Sequence, residues 1–204
     1  MDTPTVAFAG STDPEAPLVV LLHGRGSHER EIITLSEHLP RSSAYASVRA
    51  PIAEGGGYAW FANRGIGRPV ASSLRTGMDW FRTWLDTVAP PTRDVFLVGF
   101  SGGAAFAGGL LLDDPGRYTG VAVLYGTLPF DAGVPTTAGH LEGTPVFVAQ
   151  GDFDTVIPRE LLDRTWEYVT GASGADATAR RDPVGHGIAP QALKALAAWL
   201  QADR

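Results

Sequence analysis

The sequence predicts an α/β fold: a mostly parallel sheet with helices on both faces, in a single domain spanning residues 1–204. Three observations point there. Short apolar runs of strand length alternate with longer stretches of helical character, which implies crossover connections between parallel strands. Several of those runs end in glycine-punctuated loops, the edge at which such sheets hold their ligands. The chain has 204 residues, 44% hydrophobic and 19% charged. A chain of that length buries about 70% of its unfolded surface, enough for one self-sufficient core.

Residues 19–22 read as the first strand, ending in the loop His23-Gly24-Arg25-Gly26. Ser27 is placed to cap a helix over 28–39, with Glu29 and Glu31 favourable to its N-terminal dipole. Pro40 closes that helix. Residues 46–49 make a second short strand, stopped by Pro51. Residues 53–69 carry many glycines and the aromatics Tyr58, Trp60 and Phe61, and read as a loop. A helix over 72–88 sets Leu74, Met78, Phe81 and Leu85 on one face and ends before Pro90-Pro91. Residues 95–98 form a buried strand running into Gly99-Phe100-Ser101-Gly102-Gly103, and an Ala/Gly/Leu-rich helix follows to 112. Strands at 120–124 and 146–149 come next, the second leading into Gly151-Asp152-Phe153-Asp154. A helix over 159–169, a short polar strand at 177–181 suited to a sheet edge, the turn Gly185-His186-Gly187 and a helix over 190–201 complete the chain.

Composition excludes several functional classes. The net charge of −6, without blocks of like charge, argues against nucleic acid as a partner. No cysteine is present, so there is no disulfide framework, thiolate zinc site or cysteine nucleophile. The longest apolar runs, 18–22 and 121–125, fall far short of the ~18 residues that span a bilayer, so no stable membrane insertion is expected. Met1-Asp2-Thr3-Pro4 offers neither a basic nor an apolar signal region, and the chain reads as cytoplasmic. One lysine, Lys194, stands against many arginines amid abundant Ala and Gly, a bias typical of GC-rich bacterial genomes. Neither G-x-G-x-x-G nor G-x-x-x-x-G-K-[ST] occurs, which argues against a nucleotide binder.

The strongest chemical signal is Gly99-x-Ser101-x-Gly103 between a strand and a helix. A nucleophile on so sharp a turn takes strained backbone angles, and its neighbours pack so closely that only small residues fit. A serine hydroxyl needs a base, and the base an orienting carboxylate. Of five histidines, His186 is the best base, lying between two glycines just before the last helix. His28 and His38 belong to an outer helix, His140 to an irregular loop, and His23 reads as a structural residue bonded to loop backbone. Asp152 and Asp154 are the candidate carboxylates. Asp154 is preferred, with Asp152 capping the turn. The order Ser101, Asp154, His186 is the one expected of an α/β-hydrolase fold; the length of the chain leaves it a minimal lid. The oxyanion would be held by the backbone N–H groups of Gly102 and Arg25. The Arg25 side chain reads as solvent-facing, with a contact to a substrate carboxylate as the alternative. No metal or organic cofactor is expected.

His-Gly-Arg-Gly, Gly-Tyr-Ala-Trp-Phe, Gly-Phe-Ser-Gly-Gly, Tyr-Gly-Thr-Leu-Pro, Gly-Asp-x-Asp-x-Val-Ile-Pro and Gly-His-Gly occur here in one order. Together they resemble the phospholipase/carboxylesterase family of small α/β-hydrolases, which includes acyl-protein thioesterases, over residues 18–200. The resemblance implies Ser101 as nucleophile, Asp154 and His186 as partners, and the N–H groups of Arg25 and Gly102 as oxyanion donors. Acyl-protein thioesterases typically carry leucine where Arg25 stands and glutamine where Gly102 stands, which points to the bacterial esterase branch. Dienelactone hydrolases, also related, use a cysteine that this chain lacks.

The expected reaction is hydrolysis of a small-molecule ester through an acyl-enzyme, slowing in acid as His186 takes up a proton. Tyr58, Trp60 and Phe61 are candidates to wall the acyl or alcohol pocket, with simple packing of their loop as the other reading. Leu128 and Val156 are further candidate contacts. With no room for a large lid, short-to-medium acyl chains are expected. Thioesterase and lysophospholipase activities share the same triad, and a non-catalytic ligand receptor is the distant alternative. Either a monomer or a homodimer fits the sequence.

Overall fold

The computed structural model describes residues 2–202. Its main sheet has seven strands: β1 (Val6–Gly10), β2 (Leu18–Leu22), β3 (Ala44–Val48), β6 (Val95–Phe100), β7 (Gly120–Leu124), β8 (Pro145–Gly151) and β9 (Asp176–Asp182). They lie in the order β1-β3-β2-β6-β7-β8-β9. β1 pairs antiparallel with β3, and every other pairing in this sheet is parallel. A separate hairpin joins β4 (Ile52–Glu54) to β5 (Gly57–Ala59). The helices are α1 (Glu29–Ile32), α2 (Ala71–Val88), α3 (Gly102–Asp113), α4 (Arg159–Glu167) and α5 (Pro190–Leu200).

Strand alternation divides the core in two. Leu18, Val20 and Leu22 of β2 face a layer built by α2 and α3, while Val19 and Leu21 face Ile32 of α1 and Leu196 and Trp199 of α5. With both faces covered, β2 and β7 are buried at every position and carry only apolar or glycine residues. The predicted stripe Leu74, Met78, Phe81 and Leu85 of α2 is buried, each such side chain contributing about 1.5–3 kcal/mol. Glu29 is buried at the start of α1, and both its carboxylate oxygens accept from Arg49 at 2.7 Å. This pair pins the outer helix to the end of β3, and stranding Glu29 would cost about 3–5 kcal/mol.

Three elements differ from the sequence expectation. β1 lies at an exposed edge with an irregular burial pattern, so it carries little hydrophobic signal. The 53–69 loop contains the β4–β5 hairpin, whose strands are three residues each. The expected 28–39 helix is one α-helical turn continued as a 3₁₀ segment, Ile33–His38. The reason is local: Thr34 and Ser36 hydroxyls donate back to the carbonyls of Glu31 and Ile33, competing with the helical ladder. The cap is His28, whose Nδ1 accepts from the Arg30 N–H at 3.2 Å; the Ser27 hydroxyl turns instead to the Glu31 carboxylate. No helix among the described residues is long and apolar enough to cross a membrane.

Candidate active site

Ser101 sits on the turn from β6 into α3 at φ +54°, ψ −115°. For a non-glycine residue these angles cost of order 1–3 kcal/mol and persist only where the surroundings enforce them. Two contacts do so here. The Ser101 N–H donates to the Leu124 carbonyl at 2.9 Å, extending the β6–β7 ladder one residue past the strand. Gly103 lets the first turn of α3 press onto the end of β2: a Cβ there would stand 2.1 Å from the Leu22 carbonyl oxygen.

His186 belongs to the 183–189 connection between β9 and α5. Its Nε2 lies 2.8 Å from Ser101 Oγ and its Nδ1 2.8 Å from Asp154 Oδ2. A carboxylate only accepts, so the neutral ring carries its proton on Nδ1 and leaves Nε2 to accept from the serine. Asp154 is fixed in turn, its Oδ1 accepting from the N–H groups of Val156 at 2.8 Å and Ile157 at 3.0 Å. Gly151 allows the two loops to meet, since a Cβ there would stand 2.4 Å from the Gly185 carbonyl oxygen.

Burial of the Asp154 side chain would raise its pKa. The hydrogen bonds from His186, Ile157 and Val156 outweigh that and hold it below the usual carboxylate value. Glu29 and Asp182 are also held low, chiefly by hydrogen bonds from Arg49 and Arg180. Groups with depressed folded-state pKa bind fewer protons folded than unfolded. Their stabilisation is present above the ordinary carboxylate range and is lost as pH falls through the folded values. Buried His23, whose pKa is also pushed down, acts with the same sign from a higher pH, so thermal melts should begin to lose Tm below about pH 6.5 and lose it more steeply below about pH 4. A Tm that rises between those two pH values would contradict this.

The N–H groups of Arg25 and Gly102 have no hydrogen-bond partner among the described residues. They lie together beside Ser101: a Cβ on Gly102 would stand 3.2 Å from the Arg25 nitrogen. Gly102 also opens α3, whose N-terminus adds partial positive charge at the same place. Arg25 is exposed, as expected of a solvent-facing arginine, but its guanidinium is paired within the protein. Its Nε and Nη2 both donate to the Glu54 carboxylate, and its Nη1 donates to the Phe61 carbonyl at 3.1 Å. It thus ties the β2 loop to the β4–β5 hairpin.

Two cavities meet at Ser101. One, about 310 Å³, has Phe61, Ile66, Pro69, Val156 and Ile157 on its walls; the other, about 360 Å³, has Glu31, Ile32, Leu35, Phe100 and Ile188. A larger hollow of about 400 Å³ lies beside β1, and none of Ser101, Asp154 and His186 reaches it. Of the residues expected to line a pocket, Phe61 and Val156 do so. Trp60, Tyr58 and Leu128 are placed elsewhere. Trp60 is buried, stacked on Phe106 at 4.6 Å, with its indole N–H donating to the His23 carbonyl at 2.8 Å. Core burial that also satisfies the indole N–H is the more favourable placement for so large a side chain. Tyr58 packs against the Arg49 guanidinium, and its backbone pairs with Gly26 and Ser27. Leu128 is buried against α3 at Gly108. Ile66 and Pro69 were not anticipated, because they stand in an irregular loop with no periodicity to mark a face.

Of the other histidines, His28 caps α1 and His38 is exposed at the end of the 3₁₀ segment. His23 is buried, with Nδ1 donating to the Gly24 carbonyl and Nε2 accepting from the Ala50 N–H, and burial pushes its pKa down. His140 bonds the Leu112 carbonyl at 2.6 Å. Asp152 is exposed; the turn it was expected to cap is capped by Asp154. No group of three or more His, Asp or Glu among the described residues is placed to hold a metal ion.

The profile of the Phospholipase/Carboxylesterase family matches residues 4–203. The chain is 24% identical to acyl-protein thioesterase 1 of Eremothecium gossypii across 98% of this chain and 94% of that protein. Among solved structures, a Bacillus cereus carboxylesterase superposes with a TM-score of 0.84 at 22% identity, covering 96% of this chain and 92% of that one. A carboxylesterase from Mesorhizobium loti gives 0.81 at 20% identity, covering 99% and 100%. At such identities the superpositions speak for a shared fold.

Proposed function

Because the chain belongs to the phospholipase/carboxylesterase family of hydrolases, we propose that it is a serine carboxylesterase acting on esters of short-to-medium acyl chains, with Ser101, His186 and Asp154 as its catalytic residues. The observation that carries this reading is the unbroken line Ser101 Oγ–His186–Asp154, each step 2.8 Å, ending beside two unpaired backbone N–H groups.

In this reading Ser101 Oγ attacks the ester carbonyl while Nε2 of His186 takes its proton. Asp154 holds the imidazole by Nδ1–H and stabilises the imidazolium. The Arg25 and Gly102 N–H groups receive the developing oxyanion; the loss of one such donor costs about 3–4 kcal/mol of barrier in known cases. His186 then protonates the leaving alcohol, and water repeats the sequence on the acyl-enzyme. The apolar cavity of about 310 Å³ lies at the small end of the range of roughly 300–1,000 Å³ for ligand sites, which favours shorter acyl groups.

The test is hydrolysis of p-nitrophenyl esters from C2 to C16 beside matched acyl thioesters, with a serine-directed organophosphorus probe read by mass spectrometry. We expect C2–C6 esters to be preferred and the probe to label Ser101. Higher rates on C12–C16 esters overturn the size assignment, a preference for thioesters overturns the ester reading, and absence of label on Ser101 overturns the nucleophile.

A further inference from the structure

Behind His186 lies a buried polar cluster that none of these steps uses. Tyr125 follows β7 directly, is fully buried, and takes a φ of +48°, uncommon for so bulky a residue. Its hydroxyl accepts from the Ala189 N–H at 3.1 Å and donates to Asp182 Oδ2 at 3.1 Å. Burial pushes this phenol up to about 12, so it keeps the proton it donates. Asp182, also buried, is held by two nitrogens of Arg180, and Arg180 Nη1 donates to the Gln191 carbonyl in the first turn of α5 at 3.0 Å.

Asp182 and Ala189 are the two ends of the connection that carries His186. The Tyr125 hydroxyl therefore closes that loop at its base, beside the Arg180 link from Asp182 to Gln191. The residues on either side of Tyr125 touch the nucleophile. The Leu124 carbonyl accepts from the Ser101 N–H, and a Cβ on Gly126 would stand 2.7 Å from the Ser101 carbonyl oxygen. The Phe100 ring lies 5.3 Å from His186 and 6.3 Å from Tyr125, filling the space between loop and elbow.

We propose that Tyr125 is a positioning residue: through Asp182 and Ala189 it registers the loop of His186 against the elbow of Ser101, setting Nε2 opposite Oγ before substrate arrives. The proposal rests on reading His186 as the base. A purely space-filling role would need only the ring. The clasp needs the hydroxyl, because it alone joins Asp182 to the Ala189 N–H, directly behind His186, while Arg180 links Asp182 to Gln191 farther along α5.

Tyr125→Phe separates the two, since it keeps the ring and removes the hydroxyl. With a C4 p-nitrophenyl ester, kcat should fall about 10- to 100-fold while KM stays within about twofold, the signature of a base displaced by an ångström or less. The proton NMR signal of the Nδ1–H between His186 and Asp154, assigned by its loss in His186→Ala, should be present in the wild type and broadened or lost in Tyr125→Phe. A folded Tyr125→Phe protein with wild-type kcat and an unchanged ring-proton signal overturns the proposal. If that variant fails to fold, Asp182→Asn, which loosens the same clasp from its other end, is read by the same two measurements. A wild type without Ser101-dependent turnover overturns the hydrolase reading instead, and the ring-proton signal then decides the clasp by itself.

Discussion

Ser101→Ala is expected to lower kcat/KM for a good p-nitrophenyl ester by about a million-fold, or about 8 kcal/mol, with the oxyanion donors and substrate binding leaving a small residual rate. Ser101→Gly should be equally inactive but more stable. The serine holds φ +54°, ψ −115°, which alanine shares and glycine relieves. Relief of about 1–3 kcal/mol, less about 0.4–1 kcal/mol for the extra freedom glycine gives the unfolded chain, leaves a net gain of about 1 kcal/mol. For a chain of this size that is a rise in Tm of about 2–4 °C. Differential scanning calorimetry of the three proteins reads the strain, and the ester assay reads the chemistry. A Ser101→Gly variant no more stable than Ser101→Ala would mean that the elbow stores no strain. A Ser101→Ala variant with wild-type turnover would remove Ser101 from the reaction altogether.

What the sequence made legible followed from burial on two faces. β7 spans the predicted 120–124, because every residue of it is buried and loops bound it on both sides. The elbow was legible because the close approach of Gly103 to the Leu22 carbonyl leaves a compositional trace. The placement of Asp154 and His186 in loops that meet follows from their positions at the carboxyl ends of neighbouring strands β8 and β9. Where two physical demands compete, the sequence does not say which prevails. Trp60 could have faced a cavity or the core, and the His23 carbonyl decides for the core by receiving its indole N–H. Arg25 faces solvent as expected, and its partner there, Glu54, lies twenty-nine positions later with no local pattern to mark it. Tyr125 and Asp182 lie fifty-seven residues apart; no local pattern marks a contact of that range, and only the sheet order brings it about.

Asp154→Asn should cost about 10⁴-fold in kcat, by analogy with the same substitution in other Ser-His-Asp enzymes, and little in stability. The asparagine oxygen can keep the place of Oδ1 and accept from Val156 and Ile157, so the turn into α4 survives. Its amide nitrogen then faces His186 Nδ1 where the carboxylate stood. A donor in that position favours the ring tautomer protonated on Nε2. That tautomer presents a hydrogen to the Ser101 hydroxyl and cannot take one from it, so in the proposed reaction the nucleophile loses its base while the geometry is kept. Asp152→Asn is the matched control: Asp152 is exposed, two residues away on the same turn, and its replacement should leave kcat within about twofold of wild type, as expected of surface changes away from such features. Steady-state kinetics on the two variants, with melts to show that both are folded, decide which carboxylate orients the base. A large loss in Asp152→Asn with none in Asp154→Asn would transfer that role to Asp152.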